Sequence, residues 1–200
     1  MTAFETIKKR RSVRAFLDTP VEREKIEIIL DAARSAPSAH NEQPWRFVVI
    51  NSQQKKEKLM DIFENGIESG KNAVEVQHHA HYSKAGMTSS LAIMKEAPVN
   101  VLVFHAKGTT FEDMNIDLTG KFAYLADQLS IGSAIENFIL AAREMELGTR
   151  WIGHIVAVYE EIGQWLNTKD QLVAGIAVGY PVKWPHPRLR KSLDEIVTWL

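Results

Sequence analysis

The chain has 200 residues, 24 Lys and Arg against 25 Asp and Glu, a formal net charge of −1 and no cysteine. That length fits one domain with a real core, and the balanced charge implies no broad basic face for nucleic acid. The missing thiols exclude disulfides, thiolate metal sites, iron–sulfur clusters and cysteine nucleophiles.

Thr2 to Lys9 reads as a short helix with Phe4 and Ile7 inward. Arg10-Arg11-Ser12-Val13-Arg14 follows, three guanidiniums and a hydroxyl in one short stretch. Arginine presents a planar fork of donors that matches phosphate oxygens, so a single phosphate monoester would satisfy this cluster. The plainer reading is a solvated basic run after a helix. A second knot, Arg188, Arg190 and Lys191, lies at the far end of the chain, and the two could converge on one anion.

Thr19-Pro20-Val21-Glu22 predicts a helix start, with Thr as N-cap and Pro at the first helical position. The helix places Ile26, Ile29, Leu30 and Ala33 on one face and stops near Ala36, because Pro37 has no amide to donate. Pro37 to Pro44 is a loop rich in hydrogen-bonding groups (Ser38, His40, Asn41, Gln43), read either as a site carried on a rigid support or as turn chemistry. It leads into a strand, Trp45 to Ile50.

Lys55 to Asn65 is expected to be helical, and Gly66 to Met94 a partly helical flap. Its His78, His79 and His81 suggest an aromatic and imidazole surface over a ligand; a metal site is the alternative. Asn100 to His105 reads as a buried strand, then a polar loop runs through Asp117. Leu118 to Glu146 is the longest helical segment, roughly 40 Å at 1.5 Å per residue, so it is expected to cross a subunit interface. Leu118, Phe122, Leu125 and Leu129 form one stripe that Phe138, Ala142 and Met145 continue, and a small centre around Gly132 admits a close neighbour. Gly148 is placed as a left-handed helix cap. Thr149 to Gly153 is a short strand entry, with Gly153 suited to backbone approach to a flat ligand. Tyr159 to Leu166 is a helix with Ile162, Trp165 and Leu166 inward, and Leu172 to Gly179 a buried strand. The tail from Lys183 to Leu200 has no core of its own and suits wrapping a partner, with Glu195 to Leu200 as an edge strand.

No apolar run reaches the length of a membrane span, and the first residues lack the apolar core of a signal peptide, so a cytoplasmic protein is expected. No Ser-His-Asp order, Walker loop, Rossmann glycine fingerprint or carboxylate dyad can be read, so no catalytic side chain and no metal ligand is assigned. A phosphate-bearing cofactor that brings the chemistry fits this absence.

Lys9 to Arg14, then Ala36-Pro37-Ser38 with Gln43-Pro44-Trp45, Gly148 to Gly153, Val178-Gly179-Tyr180-Pro181 and Arg190-Lys191-Ser192-Leu193, taken together, resemble the FMN-dependent nitroreductase family over nearly the whole chain. The resemblance implies an α+β fold, one domain over residues 1–200, with a mixed central β-sheet flanked by helices. It also implies an intertwined homodimer with C-terminal tail exchange and the long helix at its core, residues 66–94 as an active-site flap and 183–200 as the embracing tail. Arg10, Arg14 and Arg190, with Arg188 beside them, would meet the FMN phosphate. Arg11, Ser12 and the Val13 between these residues would serve phosphate, ribityl chain or ring edge. Pro37, Ser38, Ala39, His40 and Asn41 would come from the other subunit, and Trp151, Ile152 and Gly153 would line the isoalloxazine. The implied activity is ping-pong: NADH or NADPH reduces the flavin, and a flat electron-poor aromatic acceptor, such as a quinone or nitroaromatic, is then reduced. Two alternatives stay open. One is a halotyrosine dehalogenase, whose branch clamps its substrate with a Glu-Tyr-Lys set of the types of Glu75, Tyr82 and Lys84. The other is a flavin-binding protein without turnover.

Overall fold

A computed structural model of the chain describes residues 1–69, 83–106 and 118–200. Its elements run α1 (Ala3–Lys9), α2 (Arg23–Arg34), β1 (Trp45–Ile50), α3 (Gln53–Ser69), α4 (Lys84–Glu96), β2 (Val99–His105), α5 (Leu118–Glu144), β3 (Gly148–Ile152), α6 (Tyr159–Leu166) and β4 (Gln171–Gly179). The four strands form one sheet in the order β1-β2-β4-β3.

Alternation along the central strands sorts the core into two layers. Val99, Val101 and Val103 of β2, with Ala174, Ile176 and Val178 of β4, face α2 and α5, where Ile26, Ile29, Ala33, Ile135 and Phe138 meet them. Leu102 and Phe104, with Leu172 and Ala177, face the other way, onto Leu59 and Phe63 of α3, Met87, Leu91 and Met94 of α4, and Ile162 of α6. Both faces of β2 are therefore covered, and all seven of its residues are buried. This explains why Val101 to Phe104 read as an unbroken apolar run rather than an alternating one.

The expected α+β layering is present, but the sheet is not mixed. Every neighbouring pair of its strands is antiparallel, and the parallel contact among the described residues is the single bridge Ser12–Thr149. The expected edge strand over Glu195–Leu200 is also absent: the tail makes one 3₁₀ turn at Leu193–Glu195 and pairs with no strand of its own sheet.

Other boundaries differ for local reasons. In α1 it is Thr6 that is buried, while Phe4 is 78% exposed and Ile7 is exposed. The helix is held by polar tethers instead: a capping box at Thr2, the Thr6 hydroxyl donating to Glu144, and the Met1 amine 3.1 Å from Glu144. Helix α2 starts three residues later than Thr19-Pro20 predicts, with Glu22 at the N-cap. Gly148 is not a helix cap. Glu146 takes the left-handed conformation (φ 58°), and Gly148 begins β3. A Cβ on Gly148 would lie 2.6 Å from Val13 Cγ2, so the glycine is there to let Val13 close on the strand.

The 66–94 stretch divides. Residues 66–69 finish α3, 84–94 belong to α4 and bury Met87, Leu91 and Met94, and the part between, with His78, His79, His81, Glu75 and Tyr82, lies outside the described residues. Helix α5 is as long as expected, but Leu118, Phe122, Leu125 and Leu129 are exposed, and only the later stripe, Phe138 and Ala142 included, reaches the core.

Candidate functional site

Two short pairings bring the ends of the chain together. Ser12 bridges to Thr149, and the Val13 amide donates to the Thr149 carbonyl at 2.9 Å, so residues 12–13 run along the outer edge of β3. Phe16 then bridges to Pro181, Leu17 N donates to Tyr180 O at 2.8 Å, and Val182 N to Ala15 O at 3.1 Å. Trp184 packs against the core, with the Arg143 guanidinium 4.0 Å over its ring. From that anchor the tail turns back across the basic run.

The result is a cavity of about 550 Å³ lined by Lys8, Arg10, Arg11, Ser12, Arg14 and Arg150, and across from them His186, Arg188 and Arg190, with Ile7, Pro185 and Pro187 completing the wall. Seven Lys and Arg side chains thus share one space, and no carboxylate is among its lining residues. Several of the guanidiniums turn to the backbone for want of anything better. Arg11 donates to the carbonyls of Lys8 and Arg10 at 2.6 and 2.7 Å, Arg14 to Ser12 O at 3.2 Å, and Arg190 to the carbonyls of Arg188 and Leu189 at 3.3 and 3.1 Å. Arg10 has Glu136 of α5 at 3.8 Å, outside normal hydrogen-bond length.

Arg150 is the residue that the sequence reading missed. Its place in β3, paired with Ala177 of β4, puts it on the same face as Ile152. Its Nε is buried with no hydrogen-bond partner. Burial, and then the positive charges of Arg14 and Arg188, pull its guanidinium below the usual arginine range. An arginine keeps its proton nonetheless, so the shift marks a concentrated positive field awaiting an anion. The sequence carried little signal for it: one cation in a short stretch whose neighbours Leu147, Thr149 and Ile152 the structure buries.

Such a cradle fits a phosphate dianion. It offers forked donors from two ends of the chain, an unpartnered buried donor at Arg150 and no lining carboxylate to repel the ligand. An FMN phosphate would be held by Arg10, Ser12, Arg14, Arg150, Arg188 and Arg190.

The other expected residues stand elsewhere. Val13 is 1% exposed and serves packing, not binding, through its side chain. Pro37, Ser38, Ala39, His40 and Asn41 do not line the cavity. They form a tight turn against the middle of α5, where the Ala39 amide donates to the Ser130 hydroxyl at 3.3 Å and Gln43 N donates to Ser38 Oγ at 3.1 Å. His40, Asn41 and Gln43 all have positive φ (51°, 57° and 48°), a strained run for non-glycine residues of the kind that clusters at binding sites. Ile152 is buried in the core, which leaves only its backbone for a ligand. Trp151 is 40% exposed, on the opposite face of β3 from Arg150. Gly153 caps the following 3₁₀ turn at φ −78°, an ordinary value that does not itself require glycine. Lys84, the one described member of the Glu-Tyr-Lys set, is exposed at the start of α4.

Among the described residues no group of three or more His, Asp or Glu is placed to hold a metal ion, and no helix is long and apolar enough to cross a membrane.

Comparison with known proteins gives the chain's family and fold relatives. The profile of the nitroreductase family matches residues 7–180. A protein of Methanothermobacter thermautotrophicus, provisionally named an NADH dehydrogenase/NAD(P)H nitroreductase, is 29% identical, the match covering 98% of this chain and 86% of that one. A BluB-like flavoprotein from Clostridium difficile has a structure similar to this chain at a TM-score of 0.80, with 29% identity over 100% of this chain and 99% of that one. A protein from Desulfovibrio desulfuricans, provisionally assigned as a nitroreductase and solved in complex with FMN, gives a TM-score of 0.72 and 26% identity over 100% and 97%.

Proposed function

The chain belongs to the nitroreductase family, and from that premise we propose that it is an FMN-dependent NAD(P)H oxidoreductase that reduces flat, electron-poor acceptors such as quinones and nitroaromatics. The observation that carries this reading is the convergence of Arg10, Arg14, Arg150, Arg188 and Arg190 on one cavity free of lining carboxylates. When bound, FMN supplies the ring that accepts reducing equivalents from a nicotinamide nucleotide and yields them to an acceptor.

The chain's own work is to bind, orient and shield. The arginines hold the phosphate end by charge-assisted hydrogen bonds. β3 runs from Arg150 to Trp151, Ile152 and Gly153, so a cofactor anchored at Arg150 would extend along a rigid strand whose backbone is fixed by β4. The surplus positive charge at the phosphate end favours an anionic form of whatever is bound close by.

The functional unit is a homodimer. Leu118, Phe122, Leu125 and Leu129 form an exposed apolar face on α5, and Leu189, Leu193, Ile196, Trp199 and Leu200 leave the tail apolar and uncovered. Faces of this kind support an interface, and a second copy would bring the strained 38–43 turn toward a shared site. Purified protein is expected to be yellow and to bleach anaerobically with NADH or NADPH. A yellow protein that neither nucleotide bleaches would refute turnover and leave a flavin-binding protein.

A further inference from the structure

Six of the seven Lys and Arg side chains in the basic cavity have no carboxylate within ion-pair distance among the described residues; the exception is Arg10. Glu136, in the middle of α5, stands 3.8 Å from Arg10 Nε. The contact satisfies charge without a normal hydrogen bond, so Arg10 is held loosely and can be taken by a better acceptor.

We propose that Glu136 is a proton-linked competitor for Arg10: a phosphate monoester entering the cavity draws Arg10 away, and the abandoned carboxylate takes up a proton from solvent. This rests on the cavity being the FMN phosphate site. The balance is simple. Before binding, one carboxylate and one guanidinium neutralise each other. Afterwards the guanidinium is paired with the phosphate, and Glu136 is left half-buried beside a new anion, a position in which the neutral acid is favoured.

The surroundings support this direction. Burial already raises Glu136 above the usual carboxylate range, and Arg10 is the charge that opposes the rise. Arg10 is the charged group set against Glu136 from the α1 side. Glu144, farther along α5, is occupied by Thr6 and the Met1 amine. The α2 face packed on α5 is apolar, with Ile26, Ile29 and Ala33. The other charged or titratable groups of the cavity that Arg10 lines are Lys8, Arg11, Arg14, Arg150, His186, Arg188 and Arg190. Removing Arg10 from the carboxylate thus removes the contact that keeps it ionised.

The test compares FMN dissociation constants of the wild type and Glu136→Gln between pH 5 and pH 8, by quenching of flavin fluorescence. The phosphate's own ionisation affects both proteins alike and cancels in their ratio. The ratio of wild-type to variant constant is expected to be smallest at the acid end, because a protonated Glu136 gives up no charge when Arg10 leaves it. It should rise to roughly three- to tenfold by pH 8, where the wild type must neutralise a carboxylate that the variant lacks. Calorimetric titration of both proteins, in pairs of buffers of different ionisation enthalpy, should show the wild type taking up more protons than the variant over the pH range in which the ratio rises; the phosphate's own ionisation cancels between them. A flat ratio, or equal uptake by the two proteins, overturns the proposal. Weaker binding by the glutamine variant also overturns it, since that would make Glu136 a support for Arg10 rather than its competitor. If neither protein binds FMN, the cofactor assignment fails separately. Inorganic phosphate, read as a shift in melting temperature, then replaces FMN with the same expected ratio.

Discussion

Gly148→Ala tests how the fold delivers the site. The added Cβ would lie 2.6 Å from Val13 Cγ2, 2.9 Å from its Cβ and 3.1 Å from its Cγ1. Val13 is a branched, buried side chain and cannot swing aside, so the strain must be relieved by pushing residues 12–14 off β3. Overpacking of this kind costs about 1–3 kcal/mol, which for a chain of this size lowers the melting temperature by roughly 3–10 °C. The bridge from Val13 N to Thr149 O holds Ser12 and Arg14 on either side of it, so FMN affinity should fall as well, by about tenfold. The decisive assay is a double-mutant cycle in thermal or urea unfolding. Val13→Ala alone opens a hole and costs about 1–3 kcal/mol. In the Gly148→Ala background the same truncation makes room, so the pair should be less destabilised than the sum by about 1 kcal/mol or more. Additivity within about 0.5 kcal/mol would show that the two residues do not collide and would refute the role given to Gly148.

Arg150→Gln should separate stability from binding: it removes a cation pressed between Arg14 and Arg188, so the flavin-free protein melts higher while FMN binds roughly ten- to a hundredfold more weakly; an unchanged affinity would remove Arg150 from the cradle. Phe122→Asp with Leu129→Asp places charges on the exposed stripe of α5 and should yield a monomer in light scattering, against the dimer expected of the wild type. In acid the docking of α1 should fail early. The Thr6 hydroxyl and the Met1 amine hold Glu144 below its usual range of about 4.5, so its contribution is present above that value and is lost as pH falls through the lower folded-state value. Glu144→Gln should therefore lower the neutral plateau and flatten the acid limb, so that the two stability curves converge at low pH, as followed by helical circular dichroism.

Much of the architecture was legible because apolar periodicity reports burial directly. Ile26, Ile29 and Ala33 announced the inner face of α2, and the Val-rich runs of β2 and β4 announced strands covered on both sides. The same rule misled at Phe4 and Ile7 and along Leu118 to Leu129, where an apolar stripe exists but nothing among the described residues covers it. Periodicity shows that a surface wants burying, not by what. Strand direction was not legible, because helical connections of this length permit either sense, and the antiparallel outcome is fixed by packing. At the site, paired basic knots at opposite ends suggested convergence, and residues 12–17 and 180–182 supply its cause. Arg150 was hidden because one cation in a short strand has no local pattern, and its meaning arises only when β3 sets it beside Arg14 and Arg188. The left-handed turn at His40, Asn41 and Gln43 had no glycine to announce it.

The central claim is that arginines from both ends of the chain grip a phosphate, and comparing FMN with riboflavin in one titration isolates that group. Two or more charge-assisted hydrogen bonds should make FMN bind on the order of a thousandfold more tightly at low salt, with the difference shrinking as ionic strength rises. Riboflavin binding within a few-fold of FMN would mean that the cavity does not hold the phosphate, and the account would be wrong.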